Sequence, residues 1–269
     1  MALAAPADAL CHLRRAVADI DGSRAFSLTE GGGSLRLGLP AVDAALQGGL
    51  AFGALHELAP ATPLQLGAAT GFALAAAALT AAGQHVLWIQ TDLGVLEAGT
   101  PYGPGLDLLG LAMDRLVILQ VPRPLDALWA LEEALKSGAV AAAIAELPEA
   151  GAAVDLTASR RLALAVRAGG GLGVLLRHRS CPLPTAAMTR WEVAAAPSMP
   201  DRFGGLGRTA FDLSLNRNRR GRCGRWIVCW DHDEHRFVPQ ALSLSVAATA
   251  RDRSDHARPF ARTGSGRNG

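Results

Sequence analysis

The sequence predicts an α/β fold, a mainly parallel β-sheet flanked by helices, with antiparallel hairpin strands added along one edge. Two observations carry this expectation. Between residues 54 and 178, strand-length runs of Val, Leu, Ile and Ala alternate with helical segments of about ten to fifteen residues, the pattern of right-handed crossovers. Beyond Cys181 the pattern changes to short segments carrying Trp, Phe, Val and Arg, separated by polar turns, as in hairpins. At 269 residues the chain can bury a substantial core, and half of its residues are apolar. Alanine dominates that half and aromatic residues are few, which favours small-residue helix packing over a thick aromatic core.

Residues 6–21 read as an amphipathic helix whose Arg14 and Arg15 follow the apolar start, unlike a secretory signal. "DGSRAFSLTEGGGS" then reads as a mobile connector. "LGLPAVDAALQGG" predicts a short helix closed by Gly48 and Gly49. "ALHELA" (54–59) predicts a strand, followed by a helix over 68–82. The stretch 66–82 is mostly alanine, weaker than the roughly twenty strongly apolar residues of a spanning helix, so no membrane partner is expected. "HVLWIQTD" (85–92) predicts a buried strand, and the turn-rich "GTPYGPG" leads to a short helix around "LDLLGLA". A strand over 115–121 is broken by Pro122 and Pro124. A helix over 125–137, a strand over 139–147, a helix over 157–168 and a strand over 172–178 complete the alternation. "TRWEVAAAP", "TAFDLSLNRNRRGR" and "RWIVCWDHDEHRFV" predict the antiparallel strands, and the tail from 249 reads as disordered and basic.

The formal net charge of +2 hides an asymmetry, because residues 1–150 carry 7 Lys/Arg against 15 Asp/Glu while residues 151–269 carry 19 against 9. The C-terminal half is therefore the expected contact surface, with nucleic acid or an acidic protein as the partner class. Four scattered cysteines (Cys11, Cys181, Cys223, Cys229) make no disulfide framework and indicate a reducing cytoplasm.

The stretch "LAPATPLQLGAATGFALAAAAL" (58–79) has the outline of a strand, a turn and a helix, the junction at which α/β nucleotidases wrap a phosphate. It lacks the G-x-x-x-x-G-K-[ST] pattern. Gly67 and Gly71 are present, but no lysine follows, and Lys136, the only lysine of the chain, ends a helix far downstream. The junction reads as a structural remnant, with helix N-terminal amides the only groups left for a nucleotide. Cys223, Cys229, His232 and His235 have residue types that ligate zinc, but their spacing is poor for it and no metal is expected. Arg217, Arg219, Arg220, Arg222 and Arg225 crowd one hairpin. Such a cluster repels itself unless it meets carboxylates or phosphates, so this hairpin is the expected partner-binding site, with Trp226 and Trp230 as buried anchors.

"LGLPAVDAALQGGLAFGALHELA", with Asp43, Gly48, Gly49, Gly53 and Glu57, resembles the entry segment of the RecA-like recombinase and ATPase group. The resemblance continues through "VLWIQTD", Tyr102 and "ALKSGAVAAAIAEL", and covers roughly residues 35–238. It implies a RecA-like core over 35–196, preceded by the N-terminal helix and connector (1–34) and followed by a β-hairpin extension (197–248) and the tail (249–269). The departures concern chemistry. Asp92 stands where the group has a catalytic Glu, and Glu146 where it has a metal-side Asp. A carboxylate misplaced by about 1 Å can cost on the order of 100-fold in rate, and both residues read as solvated strand-end caps. His178 resembles a nucleotide-sensing position, and it too reads as a solvated end. Only "PEAGAAVDLTA" and "RSCPLPTAAM" occupy the positions of the DNA-contacting loops.

Within the group, "LSLNRNRRGRCGRWIVCWDHDEHRF" is similar to the ImuA family, the RecA-like, SulA-related accessory proteins of bacterial mutagenesis cassettes. That resemblance implies an SOS-induced, non-catalytic adaptor in error-prone translesion synthesis, without a cofactor. The implied partners are an ImuB-like Y-family protein and an error-prone polymerase subunit, bound directly or through the first; RecA and DNA are further candidates. An ATPase with an altered phosphate loop and a SulA-like inhibitor of cell division are the alternatives.

Overall fold

The computed structural model describes residues 33–80, 84–148, 154–200, 205 and 207–240. The helix expected over 6–21, most of its connector, the last residues of the hairpin extension and the basic tail lie outside the described residues. The elements are β1 (Ser34–Leu35), α1 (Pro40–Ala45), β2 (Leu50–Ala51), β3 (Ala54–Pro60), α2 (Leu66–Thr80), β4 (His85–Thr91), α3 (Asp92–Ala98), α4 (Gly103–Leu108), β5 (Leu116–Val121), α5 (Pro124–Ser137), β6 (Val140–Leu147), α6 (Leu156–Gly169), β7 (Leu172–Arg177), β8 (Thr189–Ala195), β9 (Ala210–Asn218), β10 (Gly224–Asp231) and β11 (Arg236–Pro239).

Nine strands form one sheet in the order β11-β10-β9-β8-β3-β7-β6-β4-β5, and β1 and β2 form a separate pair. Strand β3 lies between β7 and β8 and is parallel to both. The sequence reading made the segment at 189–197 antiparallel; β8 is instead parallel to β3 and antiparallel only to β9. Its polarity follows from residues 178–188, which carry the chain from the end of β7 across β3 without a helix. Strands β9, β10 and β11 then continue as antiparallel neighbours.

On one face, α2 packs Ala69 and the run Phe72–Ala77 against the sheet. It is buried through alanine, which lets helix and sheet approach closely. With the turn before it, this is the one described stretch long and apolar enough to cross a membrane, and it serves as the core helix. On the other face, α5 and α6 cover β3, β4, β6 and β7 through Leu128, Leu131, Leu135, Leu162 and Val166. Gly138 and Gly170 end α5 and α6 in the left-handed conformation, where glycine carries no Cβ penalty. The expectation of a weakly aromatic core needs correction. Phe72, Trp191, Phe211, Trp226, Trp230 and Phe237 form a continuous cluster under the C-terminal strands, with neighbouring ring centroids between 4.8 and 6.3 Å apart.

The two sheet edges differ. Strand β11 has four residues and carries Arg236 and Pro239, features that blunt an edge. Strand β5, "LVILQV", has neither, and Val117, Ile118 and Leu119 are 47%, 43% and 38% exposed.

Candidate functional site

The junction between β3 and α2 is where a phosphate would be held. The chain makes a 3-10 turn at Pro63–Gln65 and enters α2 at Leu66. The helix begins two residues earlier than the expected start at 68, so Gly67 as well as Gly71 is inside it, and neither has a positive φ. No backbone nest therefore forms, because converging amides need alternating handedness. No basic side chain reaches this end of the sheet from the junction, whose residues 61–64 are exposed.

A cavity of about 220 Å³ opens beside the first turns of α2, lined by Gly67, Thr70, Trp88, Tyr102 and Glu146 among others. Sequence reasoning took Glu146 and His178 for solvated strand ends. Both are buried: Glu146 is 2% exposed, and its Oε1 lies 2.8 Å from His178 Nε2. His178 Nδ1 is 3.4 Å from Glu97 of α3. Parallel strands β6 and β7 end side by side, which brings Glu146 and His178 together out of water, while the exposed Glu97 of α3 reaches His178 from the solvent side. Asp92 does behave as a helix-start residue. It is exposed, follows the N-cap Thr91 and accepts a hydrogen bond from Gln120 Nε2 at 2.7 Å. The cavity lining thus includes a carboxyl group, at the position that resembles the group's metal-side acid, and no lysine or arginine.

On the opposite face, sequence reasoning missed a buried polar network. Glu57 of β3 is 1% exposed and Arg177 of β7 is fully buried. The Arg177 Nε donates to Glu57, as do Thr185 Oγ1 at 2.8 Å and Arg190 Nε at 3.1 Å. Both Nη atoms of Arg177 have no partner in the described structure. The signal available was a charged residue inside each of two strand patterns, since Glu57 and Arg177 interrupt apolar runs that need the same face. His56 alternates to the α2 face. Its Nε2 donates to Ala51 O at 3.0 Å, so Nδ1 accepts from Thr189 Oγ1 at 2.7 Å. Burial lowers its pKa to about 4 despite the hydrogen bond to Ala51, with Arg220 lowering it further, and the ring is neutral.

Residues 179–188, expected at the position of a DNA-contacting loop, lie as a strap over this network. Ala186 N donates to Ser159 Oγ at 3.0 Å, and Ala187 is buried beside α6. Three arginines hold the strap by its carbonyls. Arg190 donates to Leu183 O at 2.7 Å, Arg217 to Thr185 O at 3.0 Å, and Arg219 to Thr185 O and Ala187 O, both at 3.1 Å.

The arginine hairpin therefore divides. Arg217 and Arg219 bind their own chain. Arg220 turns toward Gln47 O and Arg225 forms a two-pronged pair with Asp212, which lies below the usual carboxylate range because of that hydrogen bond. Arg222 is exposed. Trp226 is half-buried against Trp191, with centroids 6.3 Å apart. Trp230 as a partner anchor is corrected by its position. It is 0% exposed, donates Nε1–H to Leu108 O at 2.9 Å and packs edge-on to Phe237. Strand alternation points Trp230 into the core. Cys229 is buried, Cys223 is exposed, and His232 is engaged with Leu108 O at 3.0 Å. Among the described residues, no three His, Cys, Asp or Glu side chains gather in a metal-holding group.

The strand order, the central β3 leading into α2 and the antiparallel C-terminal strands define a RecA-like α/β protein. The fold is similar to the crystal structure of the RadB recombinase, with a TM-score of 0.51 and 14% identity, covering 74% of this chain and 96% of that one. No family model matches the sequence. The chain is 35% identical over 241 residues to Protein ImuA of Caulobacter vibrioides, in two strains, covering 80% of this chain and 92% of the relative. It belongs to the ImuA family.

Proposed function

We propose that this chain is a non-catalytic, cytoplasmic RecA-like adaptor in SOS-induced, error-prone translesion synthesis, joining an ImuB-like Y-family protein to an error-prone polymerase subunit. The observation that carries the reading is a RecA-like scaffold kept whole while the junction between β3 and α2 and the cavity beside it offer no lysine or arginine to a phosphate. Phosphoryl transfer depends on positioned cations that neutralise developing charge, and the phosphate loop of this chain supplies no lysine for it. The purified protein is expected to hydrolyse no ATP above background. Magnesium-dependent turnover that disappears in Asp92→Ala would replace the adaptor with the altered-loop ATPase.

The exposed part of the basic hairpin supports a contact with carboxylates or phosphates, either of the Y-family-like protein or of DNA. Arg222 and Arg225, both exposed although Arg225 is paired with Asp212, carry this proposal with Trp226, because Arg217 and Arg219 are engaged in holding the strap and Arg220 turns toward Gln47 O. Replacing Arg222 and Arg225 by Ala is expected to raise the dissociation constant about tenfold or more, where a decade is about 1.4 kcal/mol. A steep log–log fall of affinity with salt would assign the contact to DNA, and a shallow one to protein. Unchanged affinity for both, in a mutant with native circular dichroism, would remove the hairpin from the functional surface.

A further inference from the structure

We propose that the cavity beside the first turns of α2 binds a small organic cation, a guanidinium or alkylammonium head on a short apolar body. The site is independent of the adaptor reading, which assigns no ligand to this end of the sheet. At about 220 Å³ the cavity is smaller than the roughly 300–1,000 Å³ of drug-sized sites, so its ligand is small. Its floor and its mouth differ in character. Trp88 and Glu146, on the sheet, are 1% and 2% exposed, whereas Tyr102, just before α4, is 75% exposed. Leu74 of α2 and Leu106 of α4, both buried, add apolar wall between them.

Charge decides the sign of the ligand. Helix α2 carries no charged side chain, and the facing segment 92–114 carries Asp92, Glu97, Asp107 and Asp114 with no lysine, arginine or histidine. At the floor, Glu146 holds His178 through Oε1, which leaves Oε2 to accept from a ligand. Two carboxyl groups, Glu146 and Glu97, flank the one imidazole, so the row stays negative with the ring neutral or protonated. The amides at the start of α2 oppose this with about half a positive charge, less than one carboxylate supplies. An anion therefore enters against the local field and a cation with it. The rings complete the match. Trp88 donates its indole N–H to Gln90 Oε1 at 3.1 Å, so it offers the cavity ring surface rather than a donor. Indole and phenol rings attract guanidinium and ammonium groups through their quadrupoles, and a guanidinium adds a planar fork suited to a carboxylate.

Calorimetric titration of the full-length chain with butylguanidinium, set against its neutral isostere butylurea, tests this. The guanidinium compound is expected to bind saturably and at least about tenfold tighter than butylurea. Glu146→Gln is expected to weaken that binding about tenfold or more, and Tyr102→Ala about threefold, with native circular dichroism in both. ADP is expected not to displace the cation. Equal affinity for the two isosteres would make the cavity merely apolar and overturn the proposal, as would no saturation by about 10 mM. Binding unchanged in both variants would place the cation elsewhere and overturn it too, and displacement by ADP would return the cavity to nucleotide chemistry with the same result. If Glu146→Gln does not fold, the isostere comparison decides together with Tyr102→Ala, whose side chain stands in solvent.

Discussion

Glu57→Ala is expected to lower the stability of the folded chain by about 3–5 kcal/mol, the usual cost of removing one partner from a buried ion pair. The reason is local. Arg177 is fully buried and its Nε is held by Glu57, while its two Nη atoms have no partner. Without the carboxylate the guanidinium keeps its charge in an apolar interior, and Thr185 and Arg190 lose their common acceptor. Against a total of roughly 5–15 kcal/mol for a folded domain, this is a large fraction. At about 2–4 °C per kcal/mol for a chain of this size, the midpoint of thermal unfolding should fall by about 6–20 °C. Glu57→Leu combined with Arg177→Met should recover much of the loss, because it removes both charges and leaves no orphan. A midpoint for Glu57→Ala within about 2 °C of the unmodified chain would mean that water already reaches the pair.

Trp230→Ala is expected to cost about 3–5 kcal/mol through the cavity left by a large buried side chain. The cavity would open between Phe237 and Leu108, and the Leu108 carbonyl would lose its donor. Trp230→Phe keeps most of the ring and loses that hydrogen bond, so about 1 kcal/mol is expected. Urea unfolding of both variants separates the two contributions. Should Trp230→Ala instead weaken partner binding with an unchanged midpoint, Trp230 would be a surface anchor.

What the sequence made legible was periodicity. The run "HVLWIQT" is buried on both faces and forms β4, and "AVAAAIAEL" forms β6, because a strand covered by helices on both sides needs continuous apolar residues. Pro122 and Pro124 marked the end of β5 at Val121. The polarity of β8 was not legible, since strand alternation in "TRWEVAA" is the same whichever way its neighbour runs. At the site, the missing lysine could be read directly. The pairing of Glu146 with His178 could not, because the two meet only when β6 and β7 lie side by side, 32 residues apart in sequence. The arginine hairpin was legible as a cluster, but its division was not. Which arginine meets solvent and which a carbonyl depends on where the strap 179–188 settles.

The position of β3 has a consequence for synthesis. The strand is made early, yet both of its neighbours in the sheet are made late: its Glu57 waits for Arg177, 120 residues on, and His56 for Thr189, 133 residues on. Until residues 172–193 have left the ribosome, the middle of the sheet has two open sides and two charged or polar side chains without partners. Pairings of such sequence separation are closed slowly, because the chain between them must first be ordered. The nascent protein therefore carries its central strand unpaired while residues 61–171 are made, with β4, β5 and β6 able to associate before it is enclosed. The keystone of this sheet is the first core strand translated and among the last to be locked in place.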